Sequence, residues 1–183
     1  VAKSICKDAV LDAAEAIVSE SGAGHLTLDR VAERAGISKG GLMYSFPSKA
    51  ALLQAMIGRL IDRTEQLREE IRASFGDEEP SDLMVEIRVL SRLDELGSRP
   101  AAAMMAAVAN QPELMEPFRE EMQRRFAKRV MPRQRLEESA VLYFAALGLH
   151  LSTLVHLPIL DVRQRRELFE MLSQLAAEEN AKR

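Results

Sequence analysis

Within the 23 residues from Thr27 to Lys49 (TLDRVAERAGISKGGLMYSFPSK) the sequence opens a helix, closes it, and opens a helix twice more. Thr27 is an N-cap residue, and Asp29 follows in the positively polarised first turn. Ala35-Gly36 ends that helix, Ser38 can cap the next, Phe46-Pro47 stops it, and Ser48 can cap a third. The turn at Ala35-Gly36-Ile37 needs a residue that tolerates positive φ, which Gly36 supplies. Small Ala32 lets the two helices approach, and Val31, Ile37 and Leu42 seal the angle between them. Two short helices joined in this way form a helix-turn-helix pattern.

The rest of the chain predicts helix throughout. No stretch alternates apolar with polar residues long enough for a strand, and Ala, Leu, Glu and Arg dominate. The fold class is therefore all-α, with about nine helices, three small ones first. Val10, Ala13, Ala14, Ile17 and Val18 recur at helical spacing, with Gly22 or Gly24 as the stop. A long fourth helix runs from Ser48 to about Ser74, with Leu52, Leu53, Met56, Ile57, Leu60, Leu67 and Ile71 on its buried side. Gly76–Pro80 reads as a linker. Further helices are expected near Ser81–Leu96, Pro100–Ala109, Glu113–Val130, Arg133–His156 and Val162–Glu179. We place a helix-turn-helix domain at 1–50 and a larger helical domain at 51–183.

The 183 residues carry a net charge of −3, which argues against a histone-like basic protein but leaves room for a local basic patch. Cys6 is the only cysteine, so neither an internal disulfide nor a multi-cysteine metal site forms, and a reducing cytoplasm is expected. The sequence opens on no charged–apolar–small leader pattern. It begins at Val1 rather than Met, so native residues are expected upstream. Ser139–Leu160 has no Asp, Glu, Lys or Arg and matches a bilayer span in length. Its histidines, Ser152, Thr153 and the terminating Pro158 make a buried central helix the better reading, and no membrane association is expected.

A helix-turn-helix lays its second helix in the DNA major groove, N-terminal residues nearest the bases. Gly40 and Gly41 sit in the first turn of that helix, where two glycines cost about 1 kcal/mol each relative to alanine. There they let bare backbone approach a base or phosphate. Lys39 adds charge, Tyr44 can reach a phosphate, and Lys49 lies where free helix N–H groups suit a phosphate oxygen. No acid occurs between Glu33 and Asp62, while Lys39, Lys49 and Arg59 are positive.

The run LTLDRVAERAGISKGGLMYSFPSKAALL resembles the N-terminal domain of TetR-family transcriptional regulators, where "LTLxxVAxxAGISKGxLYxHFPSKxxLL" is typical. The resemblance covers about the first sixty residues. It implies double-stranded DNA, a palindromic operator, as a partner, with contacts at Thr27, Ser38, Lys39, Gly40, Gly41, Tyr44, Ser45 and Lys49. Gly41 stands where Thr is frequent, Met43 where Tyr is, and Ser45 where His is, so the operator sequence does not carry over. The end of the chain (AVLYFAALGLHLSTLVHLPILDVRQRRELFEML) more weakly resembles the last helices of members that control multidrug efflux genes.

The second half is rich in soft side chains, which suit varied apolar partners. Met84, Met104, Met105, Val108, Met122 and Phe126, with Tyr143, Leu147 and His150 as polar and apolar lining from one helix face, are the candidate ligand pocket; Met115 belongs to the same set. The family implies a small apolar or amphipathic effector there. Ordinary core packing accounts for the same residues equally well. On the adjacent face Val141, Ala145, Gly148, Ser152 and Val155, with Leu168, Phe169, Leu172, Leu175 and Ala176, suit either a homodimer through the last two helices, as the family implies, or packing within one chain. RRFAKRVMPRQR (Arg124–Arg135) is a rival basic patch, but flanking glutamates make alternating charge on an exposed helix the better account.

The function expected from these features is a homodimeric DNA-binding regulator, most simply a repressor released by its effector. The alternative is a ligand-binding helical protein of the same fold without a DNA role. No catalytic residues, cofactor or metal site are expected. His25, His150 and His156 have no i, i+4 histidine or Glu-x-x-His spacing, and no nucleophile–base motif is visible.

Overall fold

The computed structural model describes residues 7–77, 79–96, 112–129, 136–157 and 159–181. Among them are eight α-helices and no strand: α1 (Lys7–Ser21), α2 (Leu28–Ala35), α3 (Lys39–Ser45), α4 (Lys49–Ala73), α5 (Asp82–Leu96), α6 (Glu116–Arg129), α7 (Leu136–Leu154) and α8 (Val162–Ala181). The ninth helix expected, over 100–109, lies outside the described residues. The segment expected to start α6 is a 3-10 turn, Pro112–Met115, that precedes it.

Helix starts fall where the capping residues predict them. Thr27 Oγ1 accepts from the Arg30 amide at 3.3 Å, Ser38 Oγ from Gly41 at 3.1 Å, Ser48 Oγ from Ala51 at 3.1 Å and Ser81 Oγ from Met84 at 3.1 Å. Each satisfies one amide that the helix leaves unpaired and is worth about 1 kcal/mol. α8 opens with a reciprocal pair: the Asp161 amide donates to Gln164 Oε1 at 3.0 Å and the Gln164 amide to Asp161 Oδ1 at 2.8 Å. Gly36 ends α2 in the left-handed region, φ 66°, and its amide and that of Ile37 close onto Glu33 and Ala32 carbonyls.

The described residues fall into two compact units. The first runs to Ile61 and takes in Pro112–Arg119; the second holds residues 62–96, 120–129 and those from 136 onward. In the first, Val10, Ala14, Ile17 and Val18 of α1, Leu26, Val31 of α2, Leu42 of α3 and Leu52, Leu53 and Met56 of α4 make one core, joined by Leu114. Arg59 of α4 reaches α1, where Nη1 donates to Asp12 Oδ1 at 2.6 Å and Nε to Glu15 Oε1 at 3.0 Å.

In the second unit α5 packs on α7 and α8. Leu83, Ile87 and Leu90 meet Tyr143 and Ala146 of α7 and Phe169, Leu172 and Ala176 of α8. Ion pairs thread the same interior. Arg68 of α4, 3 % exposed, binds Glu86 of α5 through Nε–Oε1 at 2.7 Å and Nη2–Oε2 at 3.1 Å. Arg125 of α6 is likewise buried and donates to Glu121 at 2.6 Å. The exposed alternating-charge account of this helix therefore holds for Arg119 and Arg124, paired with Glu116 and Glu121 near its surface, but fails for Arg125. Its guanidinium has an acid one turn back, so the charge can be taken inside.

No described helix is long and apolar enough to cross a membrane. The expectation of a wholly buried α7 is corrected: Ser139, Tyr143, Ala146 and His150 are buried, while Val141, Phe144, Leu151 and the following Val155 face outward. The apolar character of the helix comes from two stripes, one in the core of the second unit and one largely exposed, where the Phe144 ring still meets that of Phe126 at 5.5 Å. On α8 the residues named together in the sequence separate as well, because Phe169, Leu172 and Ala176 enter the core and leave Met171 and Leu175 exposed.

Candidate nucleic-acid interface

α2 and α3 are locked in the first unit by Val31, Ala32 and Leu42, so the opposite side of α3 is presented outward. Thr27, Ser38, Lys39, Gly40 and Tyr44 are exposed, and Gly41, Ser45 and Lys49 are half-buried. Tyr44 is 92 % exposed, far beyond Met43 at 43 %. An aromatic ring left that far in water gains nothing from its own chain. Gly40 tells the same story: a Cβ built there meets nothing within 4 Å, and its backbone is helical. Nothing in the fold requires glycine at that position, so its helix-weakening effect is not offset by intramolecular packing.

Ser38 and Thr27 are also structural, since their hydroxyls are the caps of α3 and α2. The electrostatics differ from the sequence expectation at two places. Arg59 is drawn onto Asp12 and Glu15 with its side chain only 10 % exposed, so it adds little to the outward field. Lys39 meets Asp29 of α2, its Nζ 2.9 Å from Oδ1 and 3.0 Å from Oδ2. Counting acids between Glu33 and Asp62 overlooked a carboxylate that the α2–α3 turn brings back to the start of α3.

Of the residues expected to line a ligand pocket, those described divide between the two units, with Met84, Phe126, Tyr143 and Leu147 in or against one core. Met104, Met105 and Val108 lie outside the described residues. Phe126, Tyr143 and Leu147 pack in or against the core of the second unit, where the Phe126 and Tyr143 rings lie 5.6 Å apart. Met115 packs against the core of the first unit, and Met122 is half-buried. Tyr143 sits among Glu86, Arg68 and Arg125, and burial pushes its hydroxyl pKa up. His150 is buried near Asp94 and Arg165, its Nδ1 has no hydrogen-bond partner, and burial pushes its pKa down. Met84 does line a cavity, of about 650 Å³, between the second half of α4, α5 and α8. Leu67, Ile71 and Phe169 form apolar walls there, and Ser91, Ser173 and Gln174 supply polar groups. Leu67 and Ile71 are accordingly half-buried rather than core. A second cavity of about 600 Å³ adjoins it at Ser91, Glu95 and Phe169. Sequence reading missed Arg68, Glu86, Asp94 and Arg165 altogether, and placed Arg125 on an exposed face.

Among the described residues, all helical, an outward-facing helix-turn-helix precedes a larger helical unit in the chain, which defines a helix-turn-helix protein with a second helical domain. Residues 10–56 match the model for bacterial regulatory proteins of the tetR family, and residues 65–177 match the tetracyclin repressor-like C-terminal domain. The chain belongs to the TetR family. It is 43 % identical over 61 residues to the HTH-type transcriptional regulator RutR of Escherichia coli strain K12, a match that spans 33 % of this chain and 29 % of RutR. Its fold resembles that of a transcriptional regulator, SCO7518, from Streptomyces coelicolor A3(2), with a TM-score of 0.67 at 20 % identity over 93 % of this chain and 97 % of that one. It also resembles the multidrug binding protein EbrR, solved with imidazole, with a TM-score of 0.63 at 20 % identity over 92 % and 93 % of the two chains. The family and these relatives are regulators and binding proteins, not enzymes.

Proposed function

We propose that the protein is a homodimeric, sequence-specific DNA-binding regulator acting in the cytoplasm, a repressor that leaves a palindromic operator when a small apolar or amphipathic effector binds. The outward surface of α3 carries this reading, with Tyr44 almost wholly exposed and Gly40 open where the fold has no use for glycine. Ser38, Lys39, Gly41, Ser45 and Lys49 surround them, and Thr27 lies at the head of α2. In a dimer, two such surfaces enter successive major grooves about one helical turn apart.

The outward stripe of Val141, Phe144, Leu151 and Val155, with Met171 and Leu175 of α8, supports the dimer. Large apolar side chains left exposed along neighbouring helices mark an association surface. The cavity lined by Met84, Leu67 and Phe169 has the size and mixed lining of a small-molecule site. α4 contributes residues to both units, so an effector that favours one placement of α4 biases the reading heads.

The test is titration against DNA from just upstream of the protein's own gene, with a scrambled fragment of equal length as control, at fixed salt. Preferential binding with a dimer-sized protected palindrome, lost on replacing Lys39 and Tyr44 by Ala with the dimer intact, is expected. Equal, weak, salt-sensitive binding to both fragments points to a ligand-binding protein of this fold without a DNA role.

A further inference from the structure

The contact between Lys39 and Asp29 contributes little to the fold. Both side chains are more than half exposed, at 56 % and 68 %, and exposed pairs of this kind are worth about 0–1 kcal/mol. Its position is what matters. Asp29 lies in the first turn of α2 and Lys39 in the first turn of α3, the end that approaches DNA under the proposed function. Lys39 Nζ lies between the two carboxylate oxygens, at 2.9 and 3.0 Å. A lysine held this way faces a competing carboxylate before DNA arrives.

We infer that Asp29 is a specificity-determining residue that acts through Lys39: it engages the ammonium in the free protein and so withholds it from contacts made to phosphates alone. The inference rests on the DNA-binding reading. Non-specific association is driven by cations that replace condensed counterions on the phosphate backbone. An ammonium shared with a carboxylate gains little there, because the pair carries no net charge to replace a counterion. On a matched site, base contacts from the rest of α3 seat the helix and compensate for releasing the lysine. Asp29 therefore lowers affinity for every DNA, and lowers it most where the phosphates are the whole attraction.

The experiment uses the full chain and a duplex of random sequence, with binding followed by fluorescence anisotropy over a salt series. Asp29→Asn is expected to bind this duplex roughly threefold to tenfold more tightly at low salt, with the slope of log K against log salt steeper by about 0.9 per protomer. Asp29→Glu, which keeps the charge, is expected to behave like the unmodified protein. In a Lys39→Ala background, Asp29→Asn is expected to change neither affinity nor slope. An Asp29→Asn protein with unchanged affinity and slope overturns the inference, and so does an equal gain with and without Lys39, which places the effect in direct carboxylate–phosphate repulsion. Failure of the unmodified protein to bind any duplex at low salt overturns the DNA-binding reading itself, and the inference with it. Far-UV circular dichroism on each variant separates a lost fold from a lost contact.

Discussion

Arg165 at the start of α8 holds Asp94 near the end of α5 through two hydrogen bonds, Nη2 to Oδ1 at 2.7 Å and Nε to Oδ2 at 2.9 Å. Thr153 Oγ1 donates to the same carboxylate at 2.5 Å, and Arg165 Nη1 donates to Ser152 Oγ at 3.0 Å. Arg165 Nη2 also donates to the Leu149 carbonyl. One half-buried ion pair thus ties the ends of α5 and α7 to the beginning of α8.

Asp94→Ala leaves the Arg165 guanidinium without its counter-charge. The pair is half-buried at the wall of the second cavity, so such a loss costs about 1–3 kcal/mol. The urea midpoint of unfolding should fall accordingly. A change under about 1 kcal/mol would mean that water reaches Arg165 and that the pair is peripheral.

His150 sets a pH dependence. Burial is the main cause of its lowered pKa; Asp94 of α5 works against that shift and Arg165 of α8 adds to it. The folded state therefore prefers neutral imidazole, and between the folded and unfolded pKa values the unfolded chain binds more protons. The contribution is present above the ordinary histidine value of 6.5 and is lost as pH falls below it. Comparing urea midpoints at neutral and mildly acidic pH, the loss should be smaller in His150→Leu than in the unmodified protein. Equal losses would assign the acid sensitivity elsewhere.

Gly36 and Gly40 should respond to alanine in opposite ways. At Gly36, φ is 66°, where an L side chain is strained, and Gly36→Ala should destabilise by about 1–2 kcal/mol. At Gly40 the backbone is helical and the space open, so Gly40→Ala should be neutral or stabilising by about 0.5 kcal/mol. If α3 reads DNA, the same Gly40→Ala protein should lose operator affinity despite its stability. Unchanged affinity would remove close backbone approach as the reason for this glycine.

Val141 tests the outward stripe of α7. It is 67 % exposed, so Val141→Asp should leave the monomer's fold intact within about 0.5 kcal/mol. If the protein dimerises through this stripe, sedimentation should show that dimer converted to monomer at micromolar concentration. A dimer that persists would move the interface off this stripe.

The helix-turn-helix was legible because its signals are local. Thr27, Ser38 and Ser48 cap amides three residues ahead of them, and Gly36 needs only its own backbone to turn the chain. The apolar spacing of α1 and of the first half of α4 likewise placed their buried residues. Reading by hydropathy failed where charge goes inside. Arg68 and Glu86 are 18 residues apart, and Arg165 and Asp94 are 71 apart. Each residue alone reads as a solvated surface group.

The sequence by itself determined where the helices of the helix-turn-helix begin and end, which family the first sixty residues resemble, and which side of α3 carries Lys39, Gly40 and Tyr44. Those properties depend on caps, turns and periodicity within a few residues. Only the tertiary structure decided that Arg59 turns to α1 and Lys39 to Asp29, that Arg68 and Arg165 lie inside, and that α7 keeps one apolar stripe for its own core and leaves the other outside. Burying a charge is tolerable only beside an opposite one, and a helix face is covered only where another element packs on it. Both conditions are set by segments distant in sequence.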